Sequence, residues 1–118
     1  MKKIIVEARL LSRSTGISGF FNPLLQKLIK TNPNTEFILT TQSDKFLERY
    51  KKYSNVIIKN ITSPKWIKHP YLVDLYYGII SFPNFLKNQT ADLLISPYYD
   101  FLIPRKFHNK VIITVHDL

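Results

Sequence analysis

Five short apolar runs of strand length recur along this chain, and helix-length patterns or loops separate them. That rhythm constrains the fold more than any single residue does. Strands that alternate with helical patterns imply βαβ units, and such units build a parallel sheet with right-handed crossovers. The first run is Lys3 to Ala8, where Ile4, Ile5 and Val6 are consecutive and apolar, as in a strand buried on both faces. Leu11 to Ser18 reads as a loop, and Asn22-Pro23 as a helix start, where the missing proline N–H is harmless. Leu24, Leu25, Leu28 and Ile29 then share one helical face. Thr31 to Asn34 ends that helix. Glu36 to Thr41 is a second strand, about Asp44 to Tyr53 a short polar helix, and Val56-Ile57-Ile58 a third strand. Tyr71 to Phe82 is helical and expected to end at Pro83. Ala91 to Ser96 is a fourth strand, Pro97 to Asn109 a loop, and Val111 to Val115 a fifth strand. The expected architecture is α/β: a Rossmann-like, doubly wound, mostly parallel sheet of about five strands with helices on both faces.

No repeat or linker divides the 118 residues, so residues 1–118 read as one domain. Without cysteine, disulfides and thiol chemistry are excluded. Glu7 and Arg9 interrupt the first apolar run too early for a signal peptide. Leu75 to Leu86, an uncharged apolar stretch, is shorter than the roughly 20 residues a membrane span needs. The expected location is cytoplasmic, or peripheral at the inner face of a membrane. The net charge of +9 suits nucleic acid, an anionic membrane surface or phosphate-bearing ligands. Its lysines and arginines are scattered, which fits a solvated surface better than a binding patch.

Candidate functional residues gather where strands end, because ligands of open α/β sheets bind beyond the carboxyl ends of the strands. After strand one, Gly16, Ile17, Ser18 and Gly19 lead into a helix whose free N–H groups suit a phosphate or sugar oxygen. Taken alone, the two glycines suit an ordinary turn better than a ligand contact. No dinucleotide or Walker-type phosphate fingerprint is present. After strand four, Pro97 directs Tyr98 and Tyr99 either toward the crevice, to cradle a sugar ring, or back onto the core. After strand five, His116 can hydrogen-bond a hydroxyl while Asp117 fixes its tautomer; alternatively Asp117 caps a following helix. His69 and His108 carry no assigned chemistry, and the three histidines lack metal-ligand spacing, so no metal is expected. Lys65-Trp66-Ile67-Lys68-His69 before the apolar Tyr71–Phe82 segment has the mixture of aromatic and cationic residues found at membrane interfaces. The preferred reading of that segment is a core helix lying across the sheet.

In this order and spacing, Glu7-Ala8-Arg9-Leu10-Leu11, Thr15-Gly16-Ile17, Asn32-Pro33, Ser96-Pro97-Tyr98-Tyr99-Asp100 and Val115-His116-Asp117-Leu118 resemble the N-terminal half of retaining GT-B glycosyltransferases of family 4. The resemblance covers essentially the whole chain. It implies an acceptor-side domain that pairs with a second Rossmann-like domain, in cis or as a separate chain, holding most of a nucleotide-sugar. Gly16 through Gly19 would lie beside the donor phosphates and acceptor, and His116 would contact the transferred sugar. The acceptor would be a glycan or a lipid-linked molecule, and no cofactor beyond the donor is implied. Family members usually read Gly-Ile-Gly-Arg-Tyr where this chain has Gly16-Ile17-Ser18-Gly19-Phe20, so the arginine is missing and the second glycine displaced. The family's paired-glutamate motif and nucleotide pocket have no counterpart in these residues, so they are expected to be inactive alone, with an exposed last strand. Competing readings are a stand-alone basic module for nucleic acid or anionic membrane, or a truncated gene product without function. Nucleic acid is the less favoured partner, since no DNA- or RNA-reading motif is present.

Overall fold

Ile4, Ile5 and Val6 lie in the middle strand of a parallel sheet, and everything else is arranged around them. A computed structural model of the chain describes residues 2–9, 16–42, 44–96, 102–107 and 110–113. Strand β1 (Lys2–Glu7) is followed by helix α1 (Gly16–Thr31), β2 (Thr35–Thr41), a 3₁₀ segment (Asp44–Tyr50) and β3 (Val56–Asn60). Helix α2 (Pro70–Tyr76) then runs through a π turn (Tyr77–Ser81) into α3 (Phe82–Lys87). Strand β4 (Leu93–Ser96), a short 3₁₀ turn (Arg105–Phe107) and β5 (Val111–Ile113) complete the order. The sheet order is β3-β2-β1-β4-β5 and every pairing is parallel, so the fold is α/β, as the alternation of patterns implied. Among the described residues, no helix is long and apolar enough to cross a membrane.

Alternation along the strands sends neighbouring residues to opposite faces. Val6, Phe37, Leu39 and Ile95 join Phe21, Leu25, Ile29, Leu47 and Tyr50 in one buried cluster. Ile5, Ile38 and Leu94 join Tyr77, Phe82, Leu86 and Phe107 in the other. The C-terminal end of α1 is fastened by Asn55, whose side-chain amide lies 3.1–3.2 Å from the carbonyls of Ile29, Asn32 and Thr35.

Three local expectations are corrected. Helix α1 begins at Gly16, well before Asn22-Pro23, so residues 16–18 are helical and Pro23 lies inside the helix. The apolar stripe that decides this is Phe21, Leu25 and Ile29, all buried, while Leu24 faces solvent. Burying Phe21 is worth about 1.5–3 kcal/mol, comparable with the roughly 3 kcal/mol that an interior proline costs. Pro83 does not end the second helical segment either. The N–H of Phe82 bonds the carbonyl of Tyr77, five residues back, so the backbone widens by one residue just before the proline ring. That shift leaves the carbonyl of buried Gly78 without an intrahelical donor, because Pro83 has no N–H; Leu102 N–H supplies the bond at 2.8 Å. Finally, the segment is only half a core helix: α3 buries Phe82, Pro83 and Leu86, whereas α2 buries none of its residues.

Candidate functional site

In a sheet ordered 3-2-1-4-5, the strand order reverses between β1 and β4, and the crevice beyond their carboxyl ends is where such folds place ligands. Glu7 ends β1 there, in register with Thr40 of β2. Ser96, fully buried, ends β4 beside it. Helix α1, the next element in the chain after β1, opens with Gly16, Ile17, Ser18 and Gly19 as its first turn. No described glycine has a positive φ, so Gly16 and Gly19 are helical rather than the turn residues that their type suggested. Gly19 is exposed, and a methyl group added there would meet nothing within 4 Å. Packing therefore gives no reason for glycine at position 19. His116, Asp117, Tyr98 and Tyr99 lie outside the described residues.

Beneath this edge is a charged cluster that sequence reasoning missed. Glu7 and Arg9 are buried, and Arg9 retains only 4% of its exposure. One oxygen of Glu7, Oε1, accepts the backbone N–H of Arg9 at 3.0 Å and the hydroxyl of Tyr77 at 3.1 Å. Arg9 Nε lies 3.9 Å from the same oxygen, and Nη1 donates to Asp74 Oδ1 at 3.3 Å. The guanidinium also sits 4.6 Å from the centre of the Tyr77 ring, a cation–π contact. Burial, reinforced by the Glu7 carboxylate, pushes the Tyr77 phenol far above its usual range, so it remains a donor.

The cluster ties the end of β1 to α2 and the π turn. A planar cation held by two carboxylates and an aromatic face is rigid, and its burial makes it a positioning group. It fixes the backbone at the point where the chain leaves the central strand for the helix that begins at Gly16. The signal present in the sequence was a pair of opposite charges, Glu7 and Arg9, directly after an apolar strand run; the chain turns after Glu7, so that the Arg9 N–H reaches the Glu7 carboxylate. His69 has a structural role, its Nδ1 accepting the Tyr71 N–H at 3.2 Å to cap α2. Among the described residues, no group of three or more His, Asp or Glu side chains is placed to hold a metal ion. Compared with known proteins, the chain matches no family model, no curated protein and no solved structure.

Proposed function

We propose that this chain is the acceptor-side, Rossmann-like domain of a retaining GT-B glycosyltransferase of family 4. A second Rossmann-like domain, in cis or as a separate chain, would hold the nucleotide-sugar. The observation that carries the reading is the placement of the Gly16–Gly19 turn: it opens the helix that follows the central strand of a 3-2-1-4-5 parallel sheet. Backbone N–H groups at such a turn favour anionic oxygens, here those of the donor diphosphate. Two buried clusters on opposite faces of the sheet support a doubly wound layout.

In this reading His116 contacts the transferred sugar and Asp117 sets its tautomer. Tyr98 and Tyr99, which follow β4, cradle a sugar ring. Arg9 and Glu7 hold the strand end from which the glycine turn departs. The second domain supplies the nucleotide pocket, and the 118 residues alone transfer nothing.

The test begins with the polypeptide isolated from its native source. Its intact mass and any co-purifying chain are determined, and the material is assayed for sugar transfer from nucleotide-sugars to glycan and lipid-linked acceptors. The expected result is a second domain, fused or associated, with transfer that falls at least about 100-fold in His116→Ala, as for loss of one transition-state contact. A native product of 13.9 kDa that acquires no partner and binds no nucleotide-sugar overturns the reading.

A further inference from the structure

The N-terminal half of the second helical segment exposes what a core helix would bury. Leu72, Leu75, Tyr76 and Ile79 recur at i, i+3, i+4 and i+7, a single helical face. Leu72 is 50% exposed, Leu75 44% and Ile79 47%. The opposite side of the same segment carries Tyr77, fully buried against the sheet. Trp66, 78% exposed in the preceding loop, completes a shallow groove of about 370 Å³ with these residues and Ile80. Lys68 lines it, and Lys65 stands exposed beside Trp66.

We infer that this face is a docking surface for an anionic lipid bilayer. Charge selects that occupant. The lysines stand beside a tryptophan and branched aliphatics, the arrangement that seats rings and alkyl chains at the headgroup boundary while ammonium groups meet lipid phosphates. The carboxylate carried by α2, on Asp74, is drawn to Arg9 at 3.3 Å, which offsets its repulsion of anionic headgroups. The net charge of +9 attracts the whole molecule to the same surface. A second copy is the poorer occupant, since a two-fold interface brings the same patch from both chains together and sets lysines against lysines. No described helix can span a bilayer, so the contact is interfacial. The inference rests on this surface alone and stands or falls apart from the transferase reading.

Trp66 is the only tryptophan, so its emission reports the groove directly. The full chain is titrated with vesicles of phosphatidylcholine alone and of phosphatidylcholine with phosphatidylglycerol, and again with vesicles carrying brominated acyl chains. The expected result is a blue shift and bromine quenching of Trp66 on the phosphatidylglycerol vesicles. Lys65→Gln and Lys68→Gln should each weaken binding about fivefold. Leu72→Asp with Ile79→Asp should abolish quenching while far-ultraviolet circular dichroism stays that of the parent. Emission unchanged by vesicles overturns the inference. So does vesicle binding that survives Leu72→Asp with Ile79→Asp and is matched by a polynucleotide, which reduces the surface to general basic charge. A lipid-independent shift that grows with protein concentration overturns it in favour of self-association.

Discussion

Arg9 carries a permanent charge where water has almost no access, and its neighbours show how the fold tolerates it. Glu7 and Asp74 balance the charge, and the Tyr77 ring covers the flat face of the guanidinium. Removing one member of a buried pair strands the other, so Arg9→Met should cost about 3–5 kcal/mol in urea unfolding. Asp74 is 43% exposed at its side chain, so Asp74→Asn should cost no more than about 1 kcal/mol. Equal losses from the two variants would refute this division of roles. Titration behaviour follows from the same kind of burial. Tyr50, whose hydroxyl donates to Asn22 in the core, is pushed from 10.0 up to about 12 by desolvation. A phenol raised in the folded state contributes stability fully present below its unfolded value. That contribution is lost as pH climbs through the folded value, here between about 10 and about 12. Unfolding free energy should therefore fall across that window, and Tyr50→Phe should flatten the fall.

At the level of elements, Pro23 and Pro83, each within a continuous helical segment, are accommodated by what lies beside them. Pro23 removes one N–H from the interior of α1, a cost offset by the burial of Phe21, Leu25 and Ile29 on the same helix. Because position 19 is helical, exposed and open, Gly19→Ala should raise stability by about 1 kcal/mol in thermal unfolding. The same variant should weaken ligand binding if the turn's backbone cradles a phosphate, which separates a functional glycine from an incidental one. Pro83 is accepted because the π turn precedes it, and that turn places Phe82 on the sheet. Its ring stacks between Tyr77 and Phe85, with centroids 5.5 and 6.2 Å away. Phe82→Ala should cost about 3–5 kcal/mol, read from the urea midpoint, because a fully buried ring leaves a cavity. The helical character of Tyr71–Phe82 was legible in its residues. Its continuation through Pro83 was not, since the relief comes from a carbonyl satisfied by Leu102, far along the chain.

Across the whole molecule, the sheet has β3 and β5 at its edges, and β3 exposes Ile57 and Lys59. A lysine on an edge strand discourages pairing with another chain. Lys59→Val should therefore raise self-association, measured by light scattering at fixed ionic strength. Molecular charge and the exposed groove act together in the same sense, as a basic body carrying an apolar contact. The amino-acid sequence by itself determined the strand runs, the α/β alternation and the parallel pairing, because consecutive Ile, Leu and Val residues need cover on both faces wherever they are placed. The same alternation pointed to the strand ends as the place for candidate residues. It put Gly16 and Gly19 in a loop before Asn22-Pro23, however, whereas α1 already begins at Gly16 because Phe21, Leu25 and Ile29 are buried together. Only the tertiary structure decided which apolar residues are covered. Leu25 is buried and adjacent Leu24 exposed; Tyr77 is buried while Trp66 and Leu72 face outward. It also joined Glu7, Arg9, Asp74 and Tyr77, which are separated by up to 70 positions. Periodicity is a local property and states only that a face is apolar; burial depends on which other segment arrives to cover it.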